Sequence, residues 1–282
     1  MYDLHSHSTA SDGQYAPSQL VRLAAEKGIT LFAITDHDSI GGVREGAAAA
    51  ERLGIQFIPG IEISVKGARE MHILGYGIDI ETDGILEMCT RFQQLRDERK
   101  YRILDFLEER GVSLSLEDVE KQAGGRLIAR PHFARAMVEA GYVSTVREAF
   151  DRYLGTPDFD QVERPKPAPE EGISMIHSAG GAAVLAHPCS LKLDPPELEA
   201  QVETLTAMGL DGIECHYHSF TSEQSRQYLA LAHRHGLLVT GGSDFHGELV
   251  KPEITLGGFD GSSLYDGGEG IYKKIQQKRA AR

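Results

Sequence analysis

The sequence predicts a mixed α/β fold, a distorted barrel of the (β/α)7 type with a helical insertion that caps one mouth of the barrel. Three features of the 282-residue chain lead to this prediction. Short apolar runs alternate with amphipathic stretches of helical period, which is the pattern of βα units around a parallel sheet. Seven such units occur, which is close to the number in a (β/α)8 barrel. The alternation stops between about residues 84 and 170, where helical patterns follow one another.

The barrel elements can be placed from these patterns. Strands are predicted at residues 2–5, 31–35, 56–63, 72–78, 182–185, 212–215 and 237–240. Helices are predicted where apolar residues recur at helical spacing and a glycine follows the last turn. They fall at residues 17–27, 42–53, 196–208 and 222–235.

The insertion begins with one long, charged, amphipathic helix at residues 85–110. Shorter helices are predicted at residues 116–123, 130–140 and 143–154, and a proline-rich loop at residues 164–169 leads back to the βα pattern. We therefore expect residues 1–83 and 171–282 to form the barrel. Residues 84–170 are expected to form a cap that contributes to substrate binding.

Composition and charge exclude several classes of protein. No apolar run approaches the roughly 20 residues that span a bilayer, and polar residues stand where a signal peptide would be apolar, so a cytoplasmic enzyme without a membrane partner is expected. The net charge of −13 argues against a stable complex with long nucleic acid. The three cysteines are scattered and have no metal-binding spacing. A phosphorylated substrate would have to be attracted by local cations.

Histidines and acidic residues follow the predicted strands. Eight of the twelve histidines lie on or just after a strand, and acidic residues accompany them at nearly every strand end. A structural polar network is the alternative explanation. However, so many titratable groups at one end of a barrel would repel one another and lose hydration unless cations compensate. The pattern therefore predicts a metal site at that end.

The available ligand atoms limit the choice of metal. Nitrogen and oxygen donors without a thiolate favour Mn²⁺, Fe²⁺ or Zn²⁺, and the donors are too many for one ion. Metal ions ~3.5–4 Å apart and bridged by a carboxylate can produce a hydroxide nucleophile and neutralise a phosphate ester. The residues alone thus predict a metal-dependent phosphoesterase that acts by attack of a metal-bound hydroxide.

The motifs together resemble those of the PHP (polymerase and histidinol phosphatase) family. The matching segments are Asp3-Leu-His5-x-His7-Ser8-x-x-Ser11-Asp12-Gly13, Thr35-Asp36-His37-Asp38, Gly60-Ile-Glu62, Ala186-His187-Pro188 and Gly242-Ser-Asp244-x-His246. They occur in family order over nearly the whole chain. The first motif, with Arg130-Pro-His132 in the insertion, most resembles the bacterial branch of 3′,5′-nucleoside bisphosphate phosphatases.

The resemblance implies two or three divalent metal ions, with Mn²⁺ favoured. One would be held by His5, His7, Glu62 and Asp244. A second would share Glu62 and add His72 and His187. A third would be held by Asp12, His37 and His246, although several family members have histidine at the position of Asp12.

Further site residues follow from the resemblance and from position. Substrate-binding residues are predicted in the insertion and its return loop: Arg130, His132, Arg135 and Lys166. Arg135 could equally be a solvated helix residue. Catalytic roles are predicted for His37, His218 and Asp36.

Each of these assignments has an alternative. Asp36 and Asp38 either orient a ligating imidazole or cap a helix, and His218 either reaches the leaving oxygen or is structural. Strict alternation on the sixth strand places Glu214 and His216 on one face and Tyr217 on the other.

The function that the resemblance implies is hydrolysis of the 3′-phosphate of nucleoside 3′,5′-bisphosphates, giving a nucleoside 5′-monophosphate and phosphate. The partner is then a small phosphorylated nucleotide. Short RNA is an alternative substrate, trimmed by 5′→3′ exoribonuclease activity. A histidinol-phosphate phosphatase and a non-catalytic metal-binding accessory module are further alternatives.

Overall fold

The computed structural model describes residues 1–67, 69–123, 128, 130–162, 165–259, 272–273 and 275–277. The chain divides into two compact units: Met1–Cys89 with Lys166–Arg282, and Thr90–Pro165. We call these the barrel unit and the helical unit. The division lies a few residues inside the interval 84–170 that was expected for the insertion. Arg164, the first residue of the proline-rich loop, lies outside the described residues.

Seven strands form one sheet in the order in which they occur along the chain. They are β1 (Tyr2–Asp3), β2 (Leu31–Ile34), β3 (Gln56–Val65), β4 (Met71–Tyr76), β5 (Ala182–Leu185), β6 (Gly212–Tyr217) and β7 (Leu238–Gly242). The amide of Leu4 donates to the carbonyl of Gly241 at 3.3 Å, and Ser6 bridges to Phe245, so the first and last strands meet. This nearly closed seven-stranded barrel confirms the predicted fold class.

Strand β4 runs in the opposite direction to its neighbours. Strands β1–β3 are parallel to one another, as are β5–β7, but β4 pairs antiparallel with both β3 and β5. The expectation of seven successive parallel βα units is therefore wrong at β4. The reason is chain length: β3 ends at Val65 and β4 begins at Met71, whereas a parallel crossover needs a dozen or more residues.

The helices flank the strands and fill the insertion. They are α1 (Pro17–Glu26), α2 (Val43–Leu53), α3 (Asp83–Glu108), α4 (Leu116–Ala123), α5 (Arg130–Glu139), α6 (Val146–Ala149), α7 (Pro169–Ser178), α8 (Pro195–Ala207) and α9 (Ser222–Arg234). The helix expected at residues 143–154 is instead α6 followed by a π-helical turn at Phe150–Leu154. None of the described helices is long and apolar enough to cross a membrane.

The sequence pattern gives no bounds for helix α7. Proline at its first position suits a helix start, because the missing N–H would have no helical partner there. The proline-rich composition of the preceding loop concealed this signal in the sequence.

Each unit has its own hydrophobic core. In the barrel unit, one cluster draws on β1–β5 and β7, with Leu4, Leu74 and Val184 fully buried. The helical unit packs Leu107, Phe133 and other apolar residues of its helices into a separate cluster. The insertion thus has a core of its own, as expected of a compact folding unit.

Tyr76 provides a test of how the reversed strand supports the barrel. It is fully buried on β4, and its hydroxyl donates a hydrogen bond of 2.8 Å to the carbonyl of Leu4. Tyr76→Phe should lower the free energy of unfolding by about 1–2 kcal/mol, because a buried acceptor loses its donor. Urea denaturation followed by circular dichroism measures this change. Tyr101→Phe, at a residue that is 53% exposed, is the control and should unfold like the wild type. Equal stability of all three proteins would contradict the prediction.

Candidate metal centre

The nine residues predicted to bind metal converge at one end of the barrel. Within each of four groups, the ligand atoms lie within 4.8 Å of one another. The groups are His7–Asp12–His37–His246, His5–His7–Asp244, His5–Glu62–His187 and His37–Glu62–His72. We call these nine residues the barrel-mouth cluster. Most follow the carboxyl ends of parallel strands, whereas His72 enters from the start of the reversed strand β4.

Glu62 lies at the centre of the cluster and is fully buried. Its Oε1 atom is 2.9 Å from Nδ1 of His72, 3.0 Å from Nε2 of His187 and 3.5 Å from Nε2 of His5. Its Oε2 atom is 2.8 Å from Nδ1 of His37 and 3.4 Å from Nε2 of His7. Both oxygens therefore face imidazole nitrogens, which is the placement that a bridging carboxylate requires.

The two oxygens of Asp244 have different surroundings. Oδ1 faces the cluster, 3.2 Å from Nε2 of His7 and 3.5 Å from Nε2 of His5. Oδ2 accepts hydrogen bonds from the hydroxyl of Tyr217 at 2.8 Å and from Nζ of Lys251 at 2.9 Å. Residues outside the cluster thus hold Oδ2 in place, while Oδ1 is directed at the histidines.

Asp12 completes the cluster nearer to solvent, with 27% of its side chain exposed. Its Oδ1 atom is 3.4 Å from Nε2 of His246, and its Oδ2 atom is 3.9 Å from Nε2 of His37. The looser spacing leaves room for a cation among these three side chains, the set implied for the third metal.

The charges of the cluster are coupled. Burial opposes ionisation of Glu62, but the charges of His37 and His72 outweigh it and hold the pKa of this carboxyl well below its usual value. Burial likewise opposes protonation of His5, but the carboxylates of Glu214 and Glu62 raise its pKa well above the usual value. The central carboxylate is therefore held ionised, the state in which it binds cations.

Several buried atoms of the cluster lack hydrogen-bond partners. Nε2 of His5, Nδ1 of His7 and Oε2 of Glu62 are buried and form no hydrogen bond in the structure as described. Such atoms are costly unless a ligand satisfies them. The donors are imidazole nitrogens and carboxylate oxygens without a thiolate, which suits Mn²⁺, Fe²⁺ or Zn²⁺. The residues present therefore fit a site for divalent metal ions.

Hydrogen bonds behind the cluster orient the histidines. Glu214 lies 3.1 Å from Nδ1 of His5 and accepts from the amide of His187 at 2.7 Å. Nδ1 of His187 is 3.1 Å from the hydroxyl of Ser190, and Nδ1 of His246 donates to the carbonyl of Asp244 at 2.8 Å. These contacts leave Nε2 of each ring facing the cluster, as metal-binding histidines require. Strand alternation predicts the face on which Glu214 lies, but no motif in the sequence gives this residue a role in the site.

Asp36 organises the loop after β1. Its carboxylate accepts hydrogen bonds from the amide of Ser8 at 2.7 Å, the hydroxyl of Ser8 at 2.6 Å and the hydroxyl of Ser11 at 2.6 Å. It does not cap α2, whose N-cap residue is Gly42. This environment favours a positioning role over the catalytic one first assigned to Asp36.

Three residues of this region have left-handed backbone conformations that residues other than glycine rarely adopt. They are Asp38 with φ of 50°, His187 with φ of 24° and Asp244 with φ of 57°. Asp38 also accepts a hydrogen bond from the amide of Ser64 at 3.0 Å. Strained backbone of this kind costs about 1–3 kcal/mol per residue and is concentrated at functional sites.

The orientation of Tyr217 differs from the sequence prediction. Strict alternation placed it with Ile213 and Cys215, on the face of β6 opposite Glu214. The pairing of β6 with β7 shifts register between Glu214 and His216, which is a β-bulge. The extra residue reverses the alternation beyond it, so the Tyr217 hydroxyl reaches the barrel-mouth cluster.

His218 follows β6, half-buried, and its Nδ1 donates to the carbonyl of Ser243 at 3.0 Å. Ser243 is the neighbour of Asp244, so the ring of His218 stands beside the cluster. Lys251, on the loop after β7, was missed because it belongs to none of the recognised motifs. Spacing alone gave no signal for it.

The predicted substrate residues of the insertion lie on one helix of the helical unit. Arg130, at the start of α5, places its guanidinium 5.9 Å from the ring centre of Phe150 and 6.0 Å from that of Phe159. His132 is half-buried on α5, and Arg135 is exposed. Lys166 belongs to the barrel unit and is partly buried. The contacts of these residues with a substrate stay a prediction.

Comparison with known proteins gives consistent matches. The family model of the PHP domain matches residues 3–155. A 3′,5′-nucleoside bisphosphate phosphatase of Chromobacterium violaceum is 36% identical over 248 residues, covering 86% of both chains. The 5′-3′ exoribonuclease Rnm of Escherichia coli is 36% identical over 87% of this chain and 85% of its own. A crystal structure from Bifidobacterium adolescentis, described as a metal-dependent phosphoesterase, superimposes with a TM-score of 0.79 at 31% identity, covering 98% of this chain and 96% of its own.

Gly242 tests whether the spacing of β1 and β7 is required for metal binding. A methyl group added at this glycine would overlap with Cβ and the backbone nitrogen of His5. Gly242→Ala should therefore displace His5 and reduce the metal bound per chain after reconstitution with Mn²⁺, measured by mass spectrometry of the eluted metal. Gly84→Ala is the control, because the nearest atom, the Ser178 hydroxyl, is 3.8 Å from the added carbon. Full metal content in Gly242→Ala would refute the prediction.

Proposed function

We propose that this chain, which belongs to the PHP family and is a metal-dependent phosphoesterase, hydrolyses the 3′-phosphate of nucleoside 3′,5′-bisphosphates. The observation on which this rests is the position of the Glu62 carboxylate among five imidazoles at the barrel mouth. The C. violaceum relative named for this substrate supports the choice of nucleotide.

The metal ions would be held by three sets of residues that share cluster members. The sets are His5, His7, Glu62 and Asp244; Glu62, His72 and His187; and Asp12, His37 and His246. Bound divalent ions lower the pKa of water and neutralise phosphate charge, so they supply both a nucleophile and electrostatic stabilisation at neutral pH.

The protein side chains contribute orientation and proton transfer. Glu214 fixes the ring of His5, so the Nε2 atom stays directed at Glu62 and Asp244. His218 donates from Nδ1 to the Ser243 carbonyl, so its Nε2 atom holds a proton only when the ring takes up a second proton from solvent. Burial lowers the pKa of His218, so the imidazolium formed in this way releases that proton readily. We assign Nε2 of His218 the delivery of that proton to the leaving 3′-oxygen. His37, beside Oε2 of Glu62, serves as a metal ligand in this scheme.

A second candidate function has comparable support. The E. coli relative, which matches at the same identity as the phosphatase, is named as a 5′-3′ exoribonuclease. Hydrolysis of a diester in short RNA needs the same nucleophile and charge neutralisation as hydrolysis of a monoester. The two activities would differ in how the rest of the nucleotide is bound, not in the cluster itself.

A phosphate-release screen with Mn²⁺ tests the proposal. The substrates are a nucleoside 3′,5′-bisphosphate, 2′- and 3′-monophosphates, histidinol phosphate and short 5′-phosphorylated RNAs, the last followed by product length. We expect the bisphosphate to have the highest kcat/KM. Faster turnover of RNA would favour the exoribonuclease function. Faster turnover of histidinol phosphate would favour the histidinol-phosphate phosphatase function. If the metal-loaded protein hydrolysed none of these esters, the remaining interpretation would be a non-catalytic metal-binding accessory module.

Replacement of the central carboxylate should weaken both metal binding and turnover. In Glu62→Gln, the bridging charge is lost, so we expect less metal per chain and a fall in kcat/KM of more than about 100-fold, beyond the usual cost of losing an outer partner of a metal ligand. Glu223→Gln on the exposed face of α9 is the charge-matched control and should behave as wild type. Treatment of the wild type with a chelator should stop phosphate release, and added Mn²⁺ should restore it. Turnover that survives chelation would disprove the metal mechanism.

Arg130 should affect one phosphate of the substrate selectively. If it binds the non-reacting 5′-phosphate, Arg130→Met should raise KM for the bisphosphate by about 10-fold or more, because a charge-assisted hydrogen bond is lost. The KM for a nucleoside 3′-monophosphate, which lacks the 5′-phosphate, should change little. Arg147→Met, at a 91%-exposed arginine of the same unit, is the control. Equal effects of Arg130→Met on both substrates would contradict this assignment.

A further inference from the structure

A cation lies at the edge of a cluster that is built to bind cations. Nζ of Lys251 is 2.9 Å from Oδ2 of Asp244, while Oδ1 of the same carboxylate faces the histidines. An ammonium group so close to this cluster would raise the electrostatic cost of binding metal ions there. Lys251 must therefore have a function that compensates for this cost and that the metal ions do not themselves provide.

The turn after β7 holds Lys251 firmly in place. Its amide and that of Val250 both donate to the carbonyl of Gly247, at 2.9 Å and 3.0 Å. The side-chain oxygen of Gln14 accepts from the amide of Leu249 at 2.8 Å, and Ile254 is buried in the core beside α1 and α2. The backbone at Lys251 is therefore held in place by hydrogen bonds and packing, which reduces the entropy lost when the lysine binds a ligand.

The ammonium group has donors to spare. A lysine has three N–H donors, and Asp244 accepts one of them. About a third of the side chain, 34%, remains exposed to solvent, whereas only 7% of the Asp244 side chain does. The side chain of Lys251 is thus partly exposed beside the metal-facing carboxylate, with two N–H groups that Asp244 does not use.

Tyr217 makes Lys251 dispensable for holding Asp244. The tyrosine hydroxyl donates to the same Oδ2 atom at 2.8 Å, and this neutral donor orients the carboxylate without opposing a metal charge. If orientation of Asp244 were the sole requirement, Tyr217 would meet it at lower electrostatic cost. The positive charge of Lys251 is therefore available to an anionic group that enters the barrel mouth.

We propose that Lys251 binds the phosphoryl group that is transferred, through a charge-assisted hydrogen bond to one of its non-bridging oxygens, while Tyr217 positions Asp244. This inference rests on the proposed phosphoesterase function, since it assumes that a phosphate enters the barrel mouth. It adds a protein cation to the metal ions in a molecule whose net charge of −13 would otherwise repel an anion.

Binding of inorganic phosphate by the full-length, Mn²⁺-loaded protein separates the two roles. Isothermal titration should show phosphate affinity about 10- to 100-fold weaker in Lys251→Met, at unchanged metal content per chain. Lys251→Gln keeps an N–H for Asp244 but removes the charge, so it should lose phosphate affinity similarly. Tyr217→Phe should instead bind Mn²⁺ about 10-fold more weakly, with phosphate affinity at saturating Mn²⁺ within about 3-fold of wild type.

Two controls complete the experiment. Lys251→Arg keeps the cation and should retain most of the phosphate affinity, and Lys27→Met, at an exposed lysine after α1, should equal the wild type. Wild-type phosphate affinity in Lys251→Gln would overturn the proposal. Loss of metal from Lys251→Gln would overturn it too, because the lysine would then act on Asp244 alone. Because phosphate binding needs no turnover, a wild type that binds phosphate through Lys251 yet hydrolyses no bisphosphate would refute only the proposed reaction.

Discussion

The barrel unit depends on one buried carboxylate surrounded by imidazoles. Glu62 has no exposed surface, and five histidine rings approach its two oxygens. Burying a carboxylate costs several kcal/mol unless charge and hydrogen bonds compensate. Here the histidines compensate only in part, because Oε2 of Glu62 and Nε2 of His5 form no hydrogen bond. Cations placed among these atoms would satisfy both, so a cluster that is poorly satisfied by protein groups alone is well suited to metal ions.

Keeping such a cluster together places demands on the surrounding fold. The short β3–β4 connection reverses one strand and brings His72 beside Glu62, where a helix-containing crossover would have carried the chain away from the site. Gly242 allows β7 to approach the backbone of His5 more closely than any side chain would permit. Left-handed backbone at Asp38 and Asp244 adds strain, which the packed core of the barrel must offset. Stability of the barrel and geometry of the site are therefore coupled.

The sequence was most informative where chemistry repeats at a fixed structural position. Histidines and acids recur after successive strands, and the resemblance to the PHP motifs selects from them the nine residues that the structure brings together. The direction of β4 could also have been predicted, because the eight residues between the predicted strands 56–63 and 72–78 are too few for a parallel crossover. Alternation failed at Tyr217, since a β-bulge leaves no mark in the order of residue types. Lys251 lies in a loop, where neither period nor motif links a residue to the carboxylate that it contacts.

The cluster by itself does not choose between a phosphate monoester and a diester. Relatives named for these two activities match this chain at the same identity of 36%, and both reactions use the same nucleophile and charge neutralisation. Under the proposed function, discrimination between them must come from groups that contact the remainder of the nucleotide. Arg130, the residue proposed to bind the non-reacting phosphate, lies at the start of α5 in the helical unit, which has its own hydrophobic core, whereas Glu62 belongs to the barrel unit. Metal ligands and a proposed specificity residue on separately packed units would let specificity change while the metal chemistry stays the same.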